Sequence, residues 1–339
     1  MSMKDEHDFE DAVRGALWGV ALGDAYGMPV EMWTRERAAE RFGWIDTLLP
    51  GPDDNEISHG RGAGETTDDT AFTKLMCTLI ERDGDITPRA LVDGVFDWLR
   101  KGGEKNDLVL GPSTRAALGA VKDGVPPSEA GKNGRTDGAP MRIIPVGAVW
   151  DWRRAENFIS VVHRACMPTH NTNIAVSAAA AVAAAVSAAT RTGNMDVSLK
   201  AAMDAARMGD SVGYRVDGAD VALRIKDALS LSESAEKDAE VIDVLGEKIG
   251  TGLPAEEAVP CAIALYRFSG GDALHCARLA ANLGGDTDTI GAMACGICGG
   301  LRGYGSLPTC EIDYIRKASG IDFDEDAKKL AALAQRCQG

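Results

Sequence analysis

The sequence predicts an all-α fold, and three observations carry that prediction. Apolar residues recur at three-and-four spacing along most of the chain. Period-two alternation is rare, with no convincing hairpin, no βαβ rhythm and no tandem repeat at a solenoid period. Ala and Gly are abundant while aromatics make up only 5% of the chain. Small side chains let helices approach closely, so tight helix–helix packing is expected rather than a β-sandwich.

The elements follow in order. Phe9–Ala21 places Ala12, Ala16 and Val20 on one face with Val13 and Leu17 beside them, the pattern of an amphipathic helix. Its Gly15 and Gly19 fit a helix crossing better than a phosphate loop. After a Gly- and Pro-rich loop at Leu49–Gly64, helices are expected at Thr67–Arg82, Thr87–Arg100 and Pro112–Lys122. Thr87–Pro88 and Gly111–Pro112 are plausible helix starts. Met141–Trp152 and Glu156–Ala165 come next, then the alanine-rich Asn171–Thr190, which is apolar nearly all round and reads as a central buried helix. The second half continues with Val197–Met208, Asp217–Leu229, Ala239–Ile249, Ala255–Arg267, Asp272–Ala281, Thr287–Gly299 and Phe323–Cys337. The loops at Gly131–Pro140, Thr192–Met195 and Gly209–Gly218 are too short for interdomain linkers, so one domain over 1–339 is expected.

Bulk composition narrows the function. Hydrophobic residues at 45% and charged residues at 26% permit a large buried core in a chain of 339 residues. A net charge of −15 repels phosphate backbones and anionic bilayers, so neither nucleic acid nor membrane is an expected partner. An anionic substrate would need local positive charge, such as a metal ion. The N-terminal MSMKDEHDFE lacks an apolar stretch, and Ile174–Ala189 reads as too short and too weakly apolar to span a bilayer. The expectation is a cytoplasmic protein without a signal peptide. The eight cysteines therefore read as reduced, and Cys295-x-x-Cys298 as helix packing rather than zinc or redox chemistry. His163 and His275 read as structural, and His7 and His59 receive no role.

Three segments do not look like ordinary helix surface: Gly23–Glu31, Gly64–Thr70 and Gly284–Thr289. The last two each place paired carboxylates and hydroxyls at the start of an apolar helix. One such cluster is explained by capping. Two, with Asp68-Asp69 and Asp286-x-Asp288 spacing, would repel if brought together unless cations lay between them. Oxygen-only donors select a hard cation, Mg²⁺ or Mn²⁺, over zinc. Gly284–Gly285 suits a tight turn that aims these side chains into a pocket.

On these motifs the chain resembles the ADP-ribosylglycohydrolases, also called ADP-ribosyl-acceptor hydrolases, over nearly its whole length. The matching blocks are Gly15-Ala16-Leu17 with Gly23-Asp24 and Glu31, Thr67-Asp68-Asp69-Thr70, Asn133–Arg142, Pro168-Thr169-His170 and Asn282–Gly291. The resemblance implies an orthogonal all-α fold and two Mg²⁺ ions, with Mn²⁺ compatible. By position it makes Thr67, Asp68, Asp69, Asp286, Asp288 and Thr289 the ligands. It gives Glu31 a gating or acid/base role and makes Asp137, Gly138, Ala139, Met141 and His170 line the substrate cleft. Asp137 stands where the family more commonly has asparagine, and a carboxylate there disfavours a nearby phosphate. The Met32–Trp33 and Phe42–Asp46 stretch resembles a bacterial sub-branch rather than the best-known protein de-ADP-ribosylating members.

A metal pair can orient a ribose diol and activate water, and carboxylates favour an oxocarbenium-like transition state. The catalytic set is then Glu31, Asp68, Asp69, Asp286 and Asp288. The expected activity is hydrolysis of an ADP-ribosyl group from a protein or small acceptor. An N-glycosidase of a small riboside or nucleoside is the alternative within enzymes. A non-catalytic binder of ADP-ribose or nucleotides is a third reading, disfavoured because all six ligand candidates are present.

Overall fold

Four glycines at four-residue spacing on the first helix decide how the protein is built. A Cβ on Gly15 would lie 2.3 Å from the carbonyl oxygen of Gly299, on Gly19 2.1 Å from that of Cys295, and on Gly23 2.0 Å from that of Gly291. On Gly27 it would lie 2.4 Å from the Asp288 nitrogen. Two helices therefore run antiparallel, backbone against backbone, with no side chain between them. This is closer than the interaxial distance of ordinary helix pairs, which side chains hold about 8–10 Å apart.

The computed structural model describes residues 8–336, so His7, Cys337 and most of the MSMKDEHDFE stretch lie outside the described residues. The helices of the first half are α1 (Phe9–Gly27), α2 (Arg35–Phe42), α3 (Asp68–Asp83), α4 (Pro88–Gly102), α5 (Glu104–Val109), α6 (Pro112–Lys122), α7 (Pro127–Ala130) and α8 (Ile144–Val149). They continue with α9 (Ala155–Cys166), α10 (Asn173–Thr192), α11 (Met195–Gly209), α12 (Val221–Glu233), α13 (Asp238–Lys248) and α14 (Ala255–Phe268). The last are α15 (Ala273–Ala281), α16 (Thr287–Arg302), α17 (Thr309–Ser319) and α18 (Asp324–Arg336). Among the described residues no strand forms; only two isolated bridges occur, Thr136 with Pro254 and Thr172 with Tyr214. The all-α expectation holds.

Differences from the expected elements have local causes. Met141–Trp152 yields only α8, because Pro145 belongs in a first turn and residues 137–142 form turns before it. The helix expected from Asp217 begins at Val221, where Asp220 caps the Leu223 N–H at 3.0 Å. Helices α2 and α17 were not expected: they bury only Ala38, and only Ile312 and Ile315, and so carry little apolar periodicity.

The core is continuous from Val13 to Leu330. Its middle is α10, whose side chains from Asn173 to Thr190 are all buried. By length and composition Asn173–Thr192 would suffice to cross a bilayer, which corrects the sequence reading, yet its whole window is buried against other helices. The cysteines described are all unpaired, and Cys295 and Cys298 are fully buried in α16. His163 and His275 are hydrogen-bonded, to Asn171 Oδ1 at 2.7 Å and Asp238 Oδ1 at 2.9 Å.

Candidate functional site

The glycine contact brings the C-terminal end of α1 against the N-terminus of α16, and α3 begins beside both. Asp24, fully buried on α1, accepts from the Thr67 N–H at 3.0 Å, the Thr70 N–H at 3.1 Å and the Thr70 hydroxyl. It thus satisfies N–H groups that open α3, which have no intrahelical partner. Thr67 also caps α3 and donates its hydroxyl to Asp69 Oδ2 at 3.0 Å. Thr289 donates to the same oxygen at 3.3 Å. At the head of α16 the Thr287 hydroxyl donates to the Gly27 carbonyl at 2.8 Å, and the Asp286 N–H donates to Thr251 O at 2.7 Å. Gly284 and Gly285, both at positive φ, turn the chain here; a Cβ on Gly285 would lie 2.2 Å from Thr251 O.

Glu31 arrives from the short turn after α1. Its carbonyl accepts from Asn55 Nδ2 at 3.1 Å, and the following Met32 N–H donates to Gly285 O at 2.7 Å. Met32 holds φ of 61°, the one positive value among the described non-glycine residues, so the chain is strained next to Glu31.

Two carboxylate triads result. Asp24, Asp69 and Asp288 each offer an oxygen within 4.8 Å of the others, and so do Glu31, Asp286 and Asp288. Asp288 is common to both. Five buried oxygens here have no hydrogen-bond partner: Glu31 Oε2, Asp69 Oδ1, Asp137 Oδ2, Asp286 Oδ2 and Asp288 Oδ1. Unpaired buried acceptors of one sign, all oxygen, fit a hard divalent cation. Burial first, then mutual repulsion, sets their protonation without one. Asp288 is pushed up to about 8 by burial and by Asp286, and Asp24 to about 7 by burial and by Asp288. Glu31, Asp68, Asp69 and Asp286 are likewise raised well above the carboxylate range by burial and by their acidic neighbours.

The cleft above the triads is lined by Glu31, Asp68, Asp286, Asp288 and Thr289 on one side. Val109, Pro112, Met141 and Leu253 give it an apolar wall, and Asp137 and Gly138 line it as well. Asp137 is anchored by donation of its N–H to Leu253 O at 3.0 Å, and burial raises its carboxyl to about 7.

Behind the lining stands a second layer. Arg142, with no exposed surface, donates to Gly138 O at 2.7 Å, Thr169 Oγ1 at 2.6 Å and Ala165 O at 3.3 Å. His170 bridges Thr169 Oγ1 at 2.7 Å and Thr136 Oγ1 at 2.9 Å. Burial, then the charge of Arg142, holds its imidazole well below its ordinary value, hence neutral. A Cβ on Gly138 would lie 2.8 Å from the His170 ring, so His170 backs the glycine rather than facing the cleft. Ala139 is also buried outside the lining.

Of the candidate ligands, the structure brings Asp69, Asp286 and Asp288 into the triads, Thr67 and Thr289 onto Asp69, and Asp68 into the cleft wall. Sequence reasoning singled out Gly23-Asp24 but gave Asp24 no role. The signal was an acid one position after a glycine in an otherwise apolar helix.

The sequence profile of the family described as ADP-ribosylglycohydrolase matches residues 5–339. The Escherichia coli protein YegU, itself named uncharacterized, is 38% identical over 96% of this chain and 98% of its own. An uncharacterized Archaeoglobus fulgidus protein is 30% identical, again over 96% of this chain and 98% of its own. The Pseudomonas putida ADP-ribosylarginine hydrolase Tri1 is 25% identical over 95% of this chain and 77% of its own. Among solved structures, an ADP-ribosylglycohydrolase-related protein complex shares the fold, with a TM-score of 0.67 at 23% identity, covering 98% of this chain and 99% of that one.

Proposed function

The chain belongs to the ADP-ribosylglycohydrolase family, and from that premise we propose that it is a metal-dependent glycohydrolase acting at the anomeric carbon of a ribosyl group. The observation that carries this reading is the pair of carboxylate triads sharing Asp288, with their unpartnered buried oxygens at the floor of a cleft. The family brings with it an ADP-ribosyl group on a protein or small acceptor as the substrate class. A small riboside offers the same bond.

Asp24, Asp69 and Asp288 would hold one Mg²⁺ or Mn²⁺, and Glu31, Asp286 and Asp288 a second, with Thr67, Asp68 and Thr289 completing the donor set. The ions supply Lewis acidity and an anchor for the ribose diol. The protein's own groups do the rest. Thr67 and Thr289 fix the rotamer of Asp69 through its Oδ2. Asp68, at the cleft wall, accepts the proton of the attacking water. The water oxygen bonds to the anomeric carbon while the bond to the aglycone breaks, the proton taken by Asp68 passes to the leaving group, and Glu31 positions the ribose. The ring of carboxylates stabilises positive charge on the sugar as that bond lengthens.

The test is a hydrolysis screen with Mg²⁺, using EDTA as control. ADP-ribosylated arginine, serine and cysteine peptides would run beside nucleosides and plain ribosides. Metal-dependent release from any of them supports the reading, and Asp288→Asn should abolish it. No turnover of any substrate, with no Mg²⁺ binding, would defeat it.

A further inference from the structure

We propose that Thr136 is a substrate-binding residue of the cleft, its hydroxyl set to donate a hydrogen bond to an acceptor atom of the substrate by a one-way chain of hydrogen bonds that begins at the buried Arg142. The inference rests on the glycohydrolase reading above and adds a recognition contact to that site.

The chain has four links. Arg142 Nη2 donates to Thr169 Oγ1 at 2.6 Å, Thr169 Oγ1 lies 2.7 Å from His170 Nδ1, His170 Nε2 lies 2.9 Å from Thr136 Oγ1, and Thr136 Oγ1 lies 2.9 Å from Ser113 Oγ. Its first member fixes the direction of the rest. A guanidinium can only donate, so the one hydrogen of the Thr169 hydroxyl is left for His170 Nδ1. The reverse order, with Nδ1 protonated, would aim two donors at Thr169 Oγ1 and strand its own hydrogen, and Thr169 is only 1% exposed. His170 is neutral, so with Nδ1 accepting, Nε2 carries the proton and donates to Thr136. Thr136 thus accepts from behind and keeps its own hydrogen to give, which Ser113 receives.

Charge drives the chain the same way. Arg142 gives its hydrogen bonds to the Gly138 and Ala165 carbonyls and the Thr169 hydroxyl, with no carboxylate among them. Each group that accepts from this positive source becomes a stronger donor to the next. The backbone holds the far end still: Arg135 O accepts from the Ala255 N–H at 3.1 Å and the Asp137 N–H donates to Leu253 O at 3.0 Å, so Thr136 is pinned on both sides. Thr136 lines the cleft, and Ser113 sits on α6 between Pro112 and Thr114, which line it too. This edge differs from the rest of the polar lining. Glu31, Asp68, Asp137, Asp286 and Asp288 offer oxygens suited to cations, water or sugar hydroxyls, and the Thr289 hydroxyl is committed to Asp69. Thr136 adds an oriented hydrogen, so it takes an acceptor: a base nitrogen or carbonyl of the aglycone, or an oxygen on the 5′ side of the ribose.

Nitrogen-15 NMR of the whole protein reads the chain directly. His170 should be neutral with Nε2 protonated and Nδ1 bare, and an Nδ1–H tautomer or an imidazolium would overturn the inference whatever the variants do. Calorimetry with saturating Mg²⁺ reads the contact, with adenosine, 5′-deoxyadenosine and ADP-ribose as probes. Thr136→Val should weaken binding at least about tenfold and Thr136→Ser should restore it to within about twofold, with Mg²⁺ affinity unchanged in both. A loss shared by adenosine and 5′-deoxyadenosine places the acceptor on the base; a loss only in probes that carry the 5′ oxygen places it there. Unchanged binding of all three probes, or no rescue by serine, would overturn the inference and leave the glycohydrolase reading intact. Failure of every probe to bind, with no hydrolysis of any riboside, would overturn both.

Discussion

Placing a single methyl group at Gly23 tests the glycine contact that sets the site. In Gly23→Ala the new Cβ would lie 2.0 Å from the Gly291 carbonyl oxygen, where ordinary contact begins at 3.4 Å, so something must give by 1.4 Å. The obstructing atoms are backbone, so no rotamer change relieves the clash, and the helices must part along a line that Gly15, Gly19 and Gly27 also occupy. Overpacking of this kind costs about 1–3 kcal/mol and sometimes more, against about 1 kcal/mol gained from replacing a helical glycine with alanine. We expect net destabilisation of up to about 2 kcal/mol, a fall in Tm of about 3 °C. Because Asp24 is the next residue, Mg²⁺ affinity should fall too. Scanning calorimetry in EDTA reads the first effect and Mg²⁺ titration the second. Gly119→Ala in α6 is the control, since a Cβ there meets nothing within 4 Å and should stabilise by about 0.5–1 kcal/mol. If Gly23→Ala raises Tm as the control does, the backbone contact does not exist as described.

Other expectations follow from the site. Asp288→Asn removes a charge common to both triads and should weaken Mg²⁺ binding at least about a hundredfold by calorimetry, whereas Asp324→Asn, far from the cleft, should leave it unchanged. Asp24 and Asp288, raised to about 7 and about 8 in the metal-free protein, favour the folded state most when protonated. That contribution is complete below about pH 4 and is lost as pH climbs through 7 to 8. The Tm increment given by saturating Mg²⁺ over EDTA should therefore grow from pH 5 to pH 8.5, and an increment that shrank over that range would contradict it. Arg142→Met strands the Gly138 carbonyl and the Thr169 hydroxyl, so we expect a loss of about 3 kcal/mol in urea unfolding and a raised KM. An unchanged KM would remove Arg142 from any role in shaping the cleft.

Much of this was legible in the sequence, and the reasons are physical. Asp68-Asp69 and Asp286-x-Asp288 announce themselves because acids crowd within a few positions at helix starts. Helix type and order followed from apolar spacing wherever a helix buries a full stripe, as α4 and α9 do. Asp24 escaped because its partners lie at Thr67, Thr70 and Asp288, far along the chain, and its one local sign, an acid after a glycine in an apolar helix, does not say what it binds. The family resemblance makes His170 line the cleft, while the structure places the ring behind Gly138; adjacency to a loop motif says nothing of which layer a side chain joins. Helices α2 and α17 escaped because a helix that buries one or two residues writes almost no period into its sequence.

The α1–α16 contact also sets a clock on biosynthesis. From Ala12 to Gly27 all but Arg14 are buried, and the glycine face has no partner before Thr287–Arg302 is made. At about 5–20 residues per second, the interval between Gly23 and Gly291 leaving the ribosome is on the order of 15–50 s. During that time the most apolar N-terminal helix waits without its mate, and the carboxylates of Asp24 and Glu31 wait without Asp286 and Asp288. Closure of the fold and assembly of the metal site are therefore one late event, and a chain stopped before residue 287 would have neither.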